Sequence, residues 1–327
     1  MGKDAEPGLA ERALGALLGV HAGDALGATV EFMPWAEVRS VHPDGVREIV
    51  GGGPFGWAAG HATDDTDLTR ALILGYRRAG AGGDVVRATG EAMLDWLRGD
   101  WPDREPGSRP RDIGGATLDG LTKYGRTGDP RQAGAGRGKA GNGSLMRCLP
   151  TALARSTRTA RITEAVELSA ITHDDPRCTV ACAAYVEMVA KLLAGGSPDD
   201  AVRAGRSVTL DLECPPVDEA IAFGAHLVPA TMAATGQTFL ADEGGGYVLD
   251  SLSLAVAALC DPRPLVDVLV DIVRLGMDSD TNGAIAGGLL GARDGAAAIP
   301  AAWVARLQFA QEFTAAAPEL LALRESP

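Results

Sequence analysis

Cysteine is scarce in this chain, and the few present are poorly spaced for metal or redox work. Cys148, Cys178, Cys182, Cys214 and Cys260 are odd in number and form no C-x-x-C pair, so neither a disulfide framework nor a zinc site is expected. Cys178 and Cys182 stand one helical turn apart, a spacing open to a bridge but equally to burial of two small thiols. A reduced, cytoplasmic protein is the expectation. No run of about 18 apolar residues occurs, which argues against a membrane-spanning helix. Residues 1–6 carry no apolar signal core, and no Ser or Thr stands where a myristoylation signal needs one. Positive charge is outweighed: 30 Lys and Arg against 43 Asp and Glu leave a net charge of −13. That balance argues against nucleic acid or an anionic membrane as a partner, and an anionic ligand must be received by a local site. The G-x-S-x-G elbow and H-E-x-x-H are both missing, so serine hydrolase and zinc protease readings lack support.

Strand-like alternation is also scarce. Residues 45–50 make the one plausible short strand. Helical periodicity fills most of the remainder: residues 8–28, 66–79, 85–98, 162–172, 177–194, 216–234, 249–260, 264–275, 282–292 and 300–322. Pro176, Pro264 and Pro300 lie near expected helix starts, and Gly195, Gly196 and Gly276 near expected ends. The 327 residues are 46% hydrophobic and 22% charged, enough to build a sizeable core. With no repeat and no low-complexity linker, the expectation is one all-α domain over residues 1–327. Three Gly-, Pro- or Arg-rich stretches, 42–61, 99–115 and 125–144, read as long functional loops on a helical body.

Two acidic clusters more than 200 residues apart carry the most chemical information. Thr63-Asp64-Asp65-Thr66 and Asp278-Ser279-Asp280-Thr281 offer only hard oxygen donors, which suit Mg²⁺ or Mn²⁺ better than zinc or copper. Each precedes a helical pattern, so N-capping competes with metal ligation as the explanation. Joined by the fold, they would supply four carboxylates and several hydroxyls, enough for a two-metal hydrolytic site. Asp278 to Gly283 imitates the start of an EF-hand loop, but Leu289 stands where the bidentate Glu is required. The small residues from Ala284 to Gly291 would let this helix pack closely and carry its carboxylates inward, where they are expensive without cations. Glu31 follows a glycine-rich apolar stretch and is either a solvated helix-end group or part of the same site.

The loop from Gly134 to Ser144 contains G-x-G-x-x-G at Gly136, Gly138 and Gly141, yet no βαβ unit frames it. The Walker pattern fails as well, because Ala133 replaces the first Gly and Ala140 follows Lys139. What remains is either a mobile surface loop or a backbone cradle for a pyrophosphate, with Arg137 and Lys139 as cations. His173 is open to a capping, core or ligand-orienting role. Asp112 either caps the next helix or meets the leaving group of a substrate.

Taken together, five blocks resemble the ADP-ribosylglycohydrolase family. They are Gly23-Asp24-Ala25-Leu26-Gly27 through Glu31, Thr63-Asp64-Asp65-Thr66, Gly141-Asn142-Gly143-Ser144-Leu145-Met146-Arg147, Thr172-His173, and Asp278-Ser279-Asp280-Thr281-Asn282-Gly283. The match spans roughly residues 10–295. The resemblance implies an all-α fold with two Mg²⁺ or Mn²⁺ ions in a cleft, held by Thr63, Asp64 and Asp65 on one side and Asp278, Asp280 and Thr281 on the other. It implies further that Gly138, Lys139, Gly141, Asn142, Gly143 and Ser144 receive the diphosphate and distal ribose, with His173 nearby, and that Asp112 meets the modified side chain. Glu31, Asp65 and Asp280 are the candidates for catalytic acid or base. The expected reaction removes ADP-ribose from a modified acceptor by cleavage at C1″ of the distal ribose. An ADP-ribosylated protein, arginine favoured, or a small-molecule conjugate would be the substrate, and a monomer is the simpler expectation. A phosphoesterase acting on ADP-ribose or nucleotides, or a non-catalytic ADP-ribose-binding relative, are the alternatives. Asp67, uncharged in many relatives, and the lack of an aromatic in Arg137-Gly138-Lys139-Ala140 depart from the pattern.

Overall fold

A computed structural model describes residues 6–242 and 245–324; the first five residues read above for targeting lie outside that range. Among the described residues every regular element is helical. The α-helices are α1 (Leu9–Gly27), α2 (Trp35–Val41), α3 (Asp64–Ala79), α4 (Val85–Leu97), α5 (Gly115–Thr127), α6 (Pro150–Ala154), α7 (Arg158–Ala170), α8 (Pro176–Leu193), α9 (Pro198–Asp211), α10 (Pro215–Gly224), α11 (Pro229–Thr235), α12 (Val248–Cys260), α13 (Leu265–Val273), α14 (Ser279–Asp294), α15 (Ala301–Val304) and α16 (Ala310–Leu323). None is long and apolar enough to cross a membrane.

Helices α1 and α14 form the centre. Both are buried almost end to end, the pattern of a helix surrounded by others rather than one lying on a surface. They run antiparallel with their backbones in contact. Gly15, Gly19, Gly23 and Gly27 face Gly291, Gly287, Gly283 and Ser279 in turn, and a Cβ on any of the four α1 glycines would overlap the backbone opposite. Glycine at every fourth position therefore makes a smooth stripe along one face of α1. Arg12 seals one end of the seam by donating to the carbonyl of Ala292 at 3.1 Å, one of the orphan acceptors at the α14 C-terminus. Around this pair pack α8, α12, α13 and α16, and the buried apolar side chains form one continuous cluster. Arg161 on α7 holds Glu187 on α8 through two hydrogen bonds of 2.5 and 3.0 Å.

The all-α expectation holds, but several boundaries differ from the sequence reading. Residues 45–50 do not form a strand. Val46 and Ile49 are buried, yet no neighbouring strand pairs with them; instead Trp303 donates to the Arg47 carbonyl at 3.0 Å and Arg306 to that of Ile49 at 2.9 Å. The stretch 216–234 breaks into α10 and α11 because Pro229 opens the second helix. Residues 300–322 likewise divide, with the chain turning between α15 and α16. Helices α2, α5, α6 and α9 lie outside the stretches read as helical. In α5, Gly115, Gly120 and Gly125 lower helix propensity, and packing compensates: a Cβ on Gly120 would stand 2.6 Å from Thr172 Cα.

Replacing Gly19 or Gly23 by Ala should cost about 1–3 kcal/mol through overpacking of the seam. Gly82→Ala, with nothing near the added Cβ, serves as the control in chemical denaturation. Equal stability of all three variants would contradict the close backbone contact.

Candidate active site

The N-termini of α3 and α14 converge at one end of the seam, and α1 positions them both. Asp24, buried on α1, accepts the backbone N–H groups of Thr63 at 3.1 Å and Thr66 at 3.2 Å, together with the Thr66 hydroxyl. This carboxylate fixes the start of α3. Thr63 is the N-cap of α3, its hydroxyl accepting the Asp65 N–H at 3.3 Å. Thr281, in the first turn of α14, donates to Asp65 at 3.2 Å and ties the two clusters together directly. Asp278 occupies the N-cap position of α14 without capping it. Its carboxylate instead accepts from the Asn142 amide at 2.6 Å. The capping explanation thus accounts for Thr63 but not for Asp278.

A cleft of about 430 Å³ opens over these residues. Glu31, Asp64, Asp112, Asp278, Asp280 and Thr281 line one side. Oxygens of Glu31, Asp112 and Asp280 all lie within 4.8 Å of one another. Glu31 sits on the turn after α1. Its neighbour Phe32 (φ 61°) and the facing Met277 (φ 54°) both have left-handed backbone, costly for residues with a Cβ. Hydrogen bonds from Phe32 N–H to the Met277 carbonyl (2.7 Å) and from Met277 N–H to the Met33 carbonyl (2.9 Å) hold them there, beside Glu31 and Asp278 respectively.

The opposite wall is Gly141, Asn142, Gly143 and His173. A Cβ on Gly143 would approach the His173 ring to 3.0 Å, so glycine lets the loop lie against the imidazole. Buried Arg147 supports the loop from below, donating to the Gly143 carbonyl and, at 2.8 Å, to the Thr172 hydroxyl. Burial, then the Arg147 charge, pushes the His173 pKa down to about 3, so the ring is neutral at physiological pH. The Thr172 hydroxyl lies 2.7 Å from its Nδ1.

Charge is the dominant feature. Burial first, and neighbouring carboxylates second, raise Asp64, Asp65 and Asp280 well above the usual range. Glu31 is pushed to about 9, Asp24 to about 7 and Asp112 to about 6, in each case chiefly by burial. Asp278 is raised as well. Among the described residues, Oδ1 of Asp24, Oδ1 of Asp65 and Oε2 of Glu31 are buried without a hydrogen-bond partner. Clustered, largely buried and oxygen-only, this donor set is what hard divalent cations require, and cations would offset both the repulsion and the desolvation. The residues fit the metal that the sequence suggested.

Most of the anticipated residues come together: Glu31, Thr63, Asp64, Asp65, Asp278, Asp280 and Thr281 at the convergent helix ends, with Asp112, Gly141, Asn142, Gly143 and His173 around the cleft. Gly138, Lys139 and Ser144 do not line it. The Gly138 N–H donates to Asp175 at 2.7 Å and that of Gly136 to Asp174 at 2.6 Å, so local carboxylates take donors expected to be free for phosphate. Lys139 is exposed, 4.0 Å from Asp119. Ser144 is buried and accepts from Ser169 at 2.9 Å. Asp24 and Arg147 stood within the recognised blocks but were given no role; their signal was an ionisable residue inside an apolar or glycine-rich run.

The chain belongs to the ADP-ribosylglycohydrolase family, whose model matches residues 5–327. It is an all-α enzyme of the class that hydrolyses glycosidic bonds to ADP-ribose. It is 33% identical over 94% of its length to the ADP-ribosyl-[dinitrogen reductase] glycohydrolase of Rhodospirillum rubrum, covering 93% of that protein. With the ADP-ribosylarginine hydrolase Tri1 of Pseudomonas putida (strain GB-1) it shares 29% identity over 95% of this chain and 78% of that one. A solved structure titled ADP-ribosylglycohydrolase-related protein complex superposes with a TM-score of 0.79 at 29% identity, covering 97% of this chain and 99% of that one.

Mg²⁺ or Mn²⁺ should raise the melting temperature, with a stabilisation of about 2.7 kcal/mol at a hundredfold excess over Kd. Asp64→Asn and Asp280→Asn should each abolish that ion-induced rise, and neither should destabilise the ion-free protein, since each removes one of several repelling charges. A full rise retained in both variants would contradict the assignment.

Proposed function

We propose that this enzyme releases ADP-ribose from ADP-ribosylated arginine in a protein, cutting the bond between C1″ of the distal ribose and the guanidine nitrogen. The convergence of Glu31, Asp112 and Asp280 within 4.8 Å, facing the Gly141–Gly143 loop and His173 across one cleft, carries this reading. The names of the relatives from Rhodospirillum and Pseudomonas point to the same acceptor.

Thr63, Asp64 and Asp65 from α3 and Asp278, Asp280 and Thr281 from α14 would hold two Mg²⁺ or Mn²⁺ ions. Bound there, the ions would supply Lewis acidity and a positive field at the ribose hydroxyls and the attacking water. The protein residues do the remainder. Gly141 and Gly143 leave room for the His173 ring against the loop, and neutral His173 on the cleft wall offers a hydrogen bond without adding charge. Asn142 holds Asp278 in place. In the reaction the C1″–N bond breaks and its electron pair goes to the guanidine nitrogen, with oxocarbenium character developing at C1″. The water oxygen forms the new bond to C1″, and the water proton passes by way of a carboxylate to the departing nitrogen. Glu31, with its unpartnered Oε2, is the group we assign to that transfer. Asp65 is held by Thr63 and Thr281 and Asp280 by the Thr281 N–H, which suits ligation better than proton transfer.

Mass spectrometry of an ADP-ribosylarginine peptide treated with the enzyme and Mn²⁺ should show unmodified arginine and intact ADP-ribose. Asp64→Ala and Asp280→Ala should abolish turnover, and Glu31→Gln should lower kcat by roughly 10²–10⁴-fold. Release of phosphate or AMP in place of ADP-ribose would overturn the assignment.

A further inference from the structure

A second cleft, of about 520 Å³, adjoins the first at two of the same carboxylates. Asp64 and Asp112 line both clefts, so a ligand filling the first ends where the second begins. Its walls come from the loops around Trp57 and Arg109, which Gln308 ties together by donating to Asp103 at 2.8 Å and accepting from the Ala62 N–H at 3.0 Å. Two clefts meeting at one reactive group match a reaction that divides its substrate in two. ADP-ribose occupies the side with the glycine loop, and the leaving group requires the other.

What this cleft prefers is visible in its own side chains. Trp57 is 8% exposed and stacks on His61, with ring centroids 5.0 Å apart and planes inclined at 22°. The Arg111 guanidinium lies over the same indole, 5.8 Å from its centroid. Among the described residues Arg111 makes no hydrogen bond or ion pair, and it is exposed. A guanidinium already rests on Trp57, then, with nothing else to hold it there. Asp112, which the metal assignment leaves free, stands on the wall of the same cleft, an anionic partner for a planar cation.

We propose that this second cleft is the acceptor subsite, that Trp57 is the platform on which the leaving guanidine stacks, and that Arg111 occupies that platform until the substrate displaces it. The inference rests on the arginine reading above and adds to it the residue that selects the acceptor. It concerns binding alone: Trp57 and Arg111 transfer no proton.

Direct binding of agmatine, an alkylguanidinium with a terminal amine and neither carboxylate nor carbonyl, tests this without turnover. By calorimetry, Arg111→Ala should bind agmatine about tenfold more tightly than the wild type, and the gain should vanish in the double variant with Trp57→Leu. In kinetics, Trp57→Leu should raise KM for an ADP-ribosylarginine peptide about tenfold, whereas Trp57→Phe, which keeps an aromatic face, should stay within about threefold of the wild type. Arg111 is exposed, so its variant reports on the site even if Trp57→Leu folds poorly. Wild-type turnover of the peptide combined with unchanged agmatine affinity in Arg111→Ala would overturn the subsite while leaving the enzyme's activity intact. Absence of wild-type turnover would overturn the arginine reading itself, and agmatine binding would still judge the subsite.

Discussion

Gly15, Gly19, Gly23 and Gly27 meet Gly291, Gly287, Gly283 and Ser279 across a seam that leaves no room for a methyl group. Such contact fixes the separation and the rotation of α1 and α14 together, because apart from Ser279 the paired positions carry no side chain to repack. The consequence is positional. Asp24 projects from α1 at a set height and gathers the first turn of α3, while the start of α14 is pinned beside it by the Ser279 hydroxyl donating to the Gly27 carbonyl at 2.8 Å. Two helix N-termini, each favouring negative charge through its dipole, are thereby aimed at one volume.

That arrangement is electrostatically expensive in the bare protein. Buried carboxylates repel one another and lose hydration, and the raised pKa values of Asp64, Asp65 and Asp280 express both costs. The left-handed backbone at Phe32 and Met277 adds local strain beside Glu31 and Asp278. A structure that concentrates like charge and strain at one point, within a well-packed helical body, has the energetic signature of a site completed by cations. Stability and function compete here. The seam and the surrounding core supply the rigidity that keeps the carboxylates from moving apart.

Much of this was legible in the sequence. The hard-oxygen clusters at Thr63–Thr66 and Asp278–Thr281, the small residues of α14 and the glycine-rich stretch before Glu31 all carried their meaning locally. Helix α9 carries a local signal too, a capping box at Ser197 and Asp200 with Pro198 at the first helical position. Other features depend on distant partners. Residues 45–50 read as a short strand, but the Arg47 and Ile49 carbonyls accept from the side chains of Trp303 and Arg306 and not from a neighbouring strand. The donors of the Gly134–Ser144 loop read as free until Asp174 and Asp175 fold back onto them. Helix α5 contradicts its own glycines, because tertiary packing outweighs propensity there. Asp112 was ambiguous until the fold placed it beside Glu31 and Asp280.

Crystals soaked in Mn²⁺ and measured at a wavelength where manganese scatters anomalously give the most direct test of the gathered-carboxylate account. Two anomalous peaks between the first turns of α3 and α14, within coordination distance of Asp64, Asp65, Asp278 and Asp280, are the predicted result. A map with no peak in that volume, and these side chains still packed against one another, would contradict it.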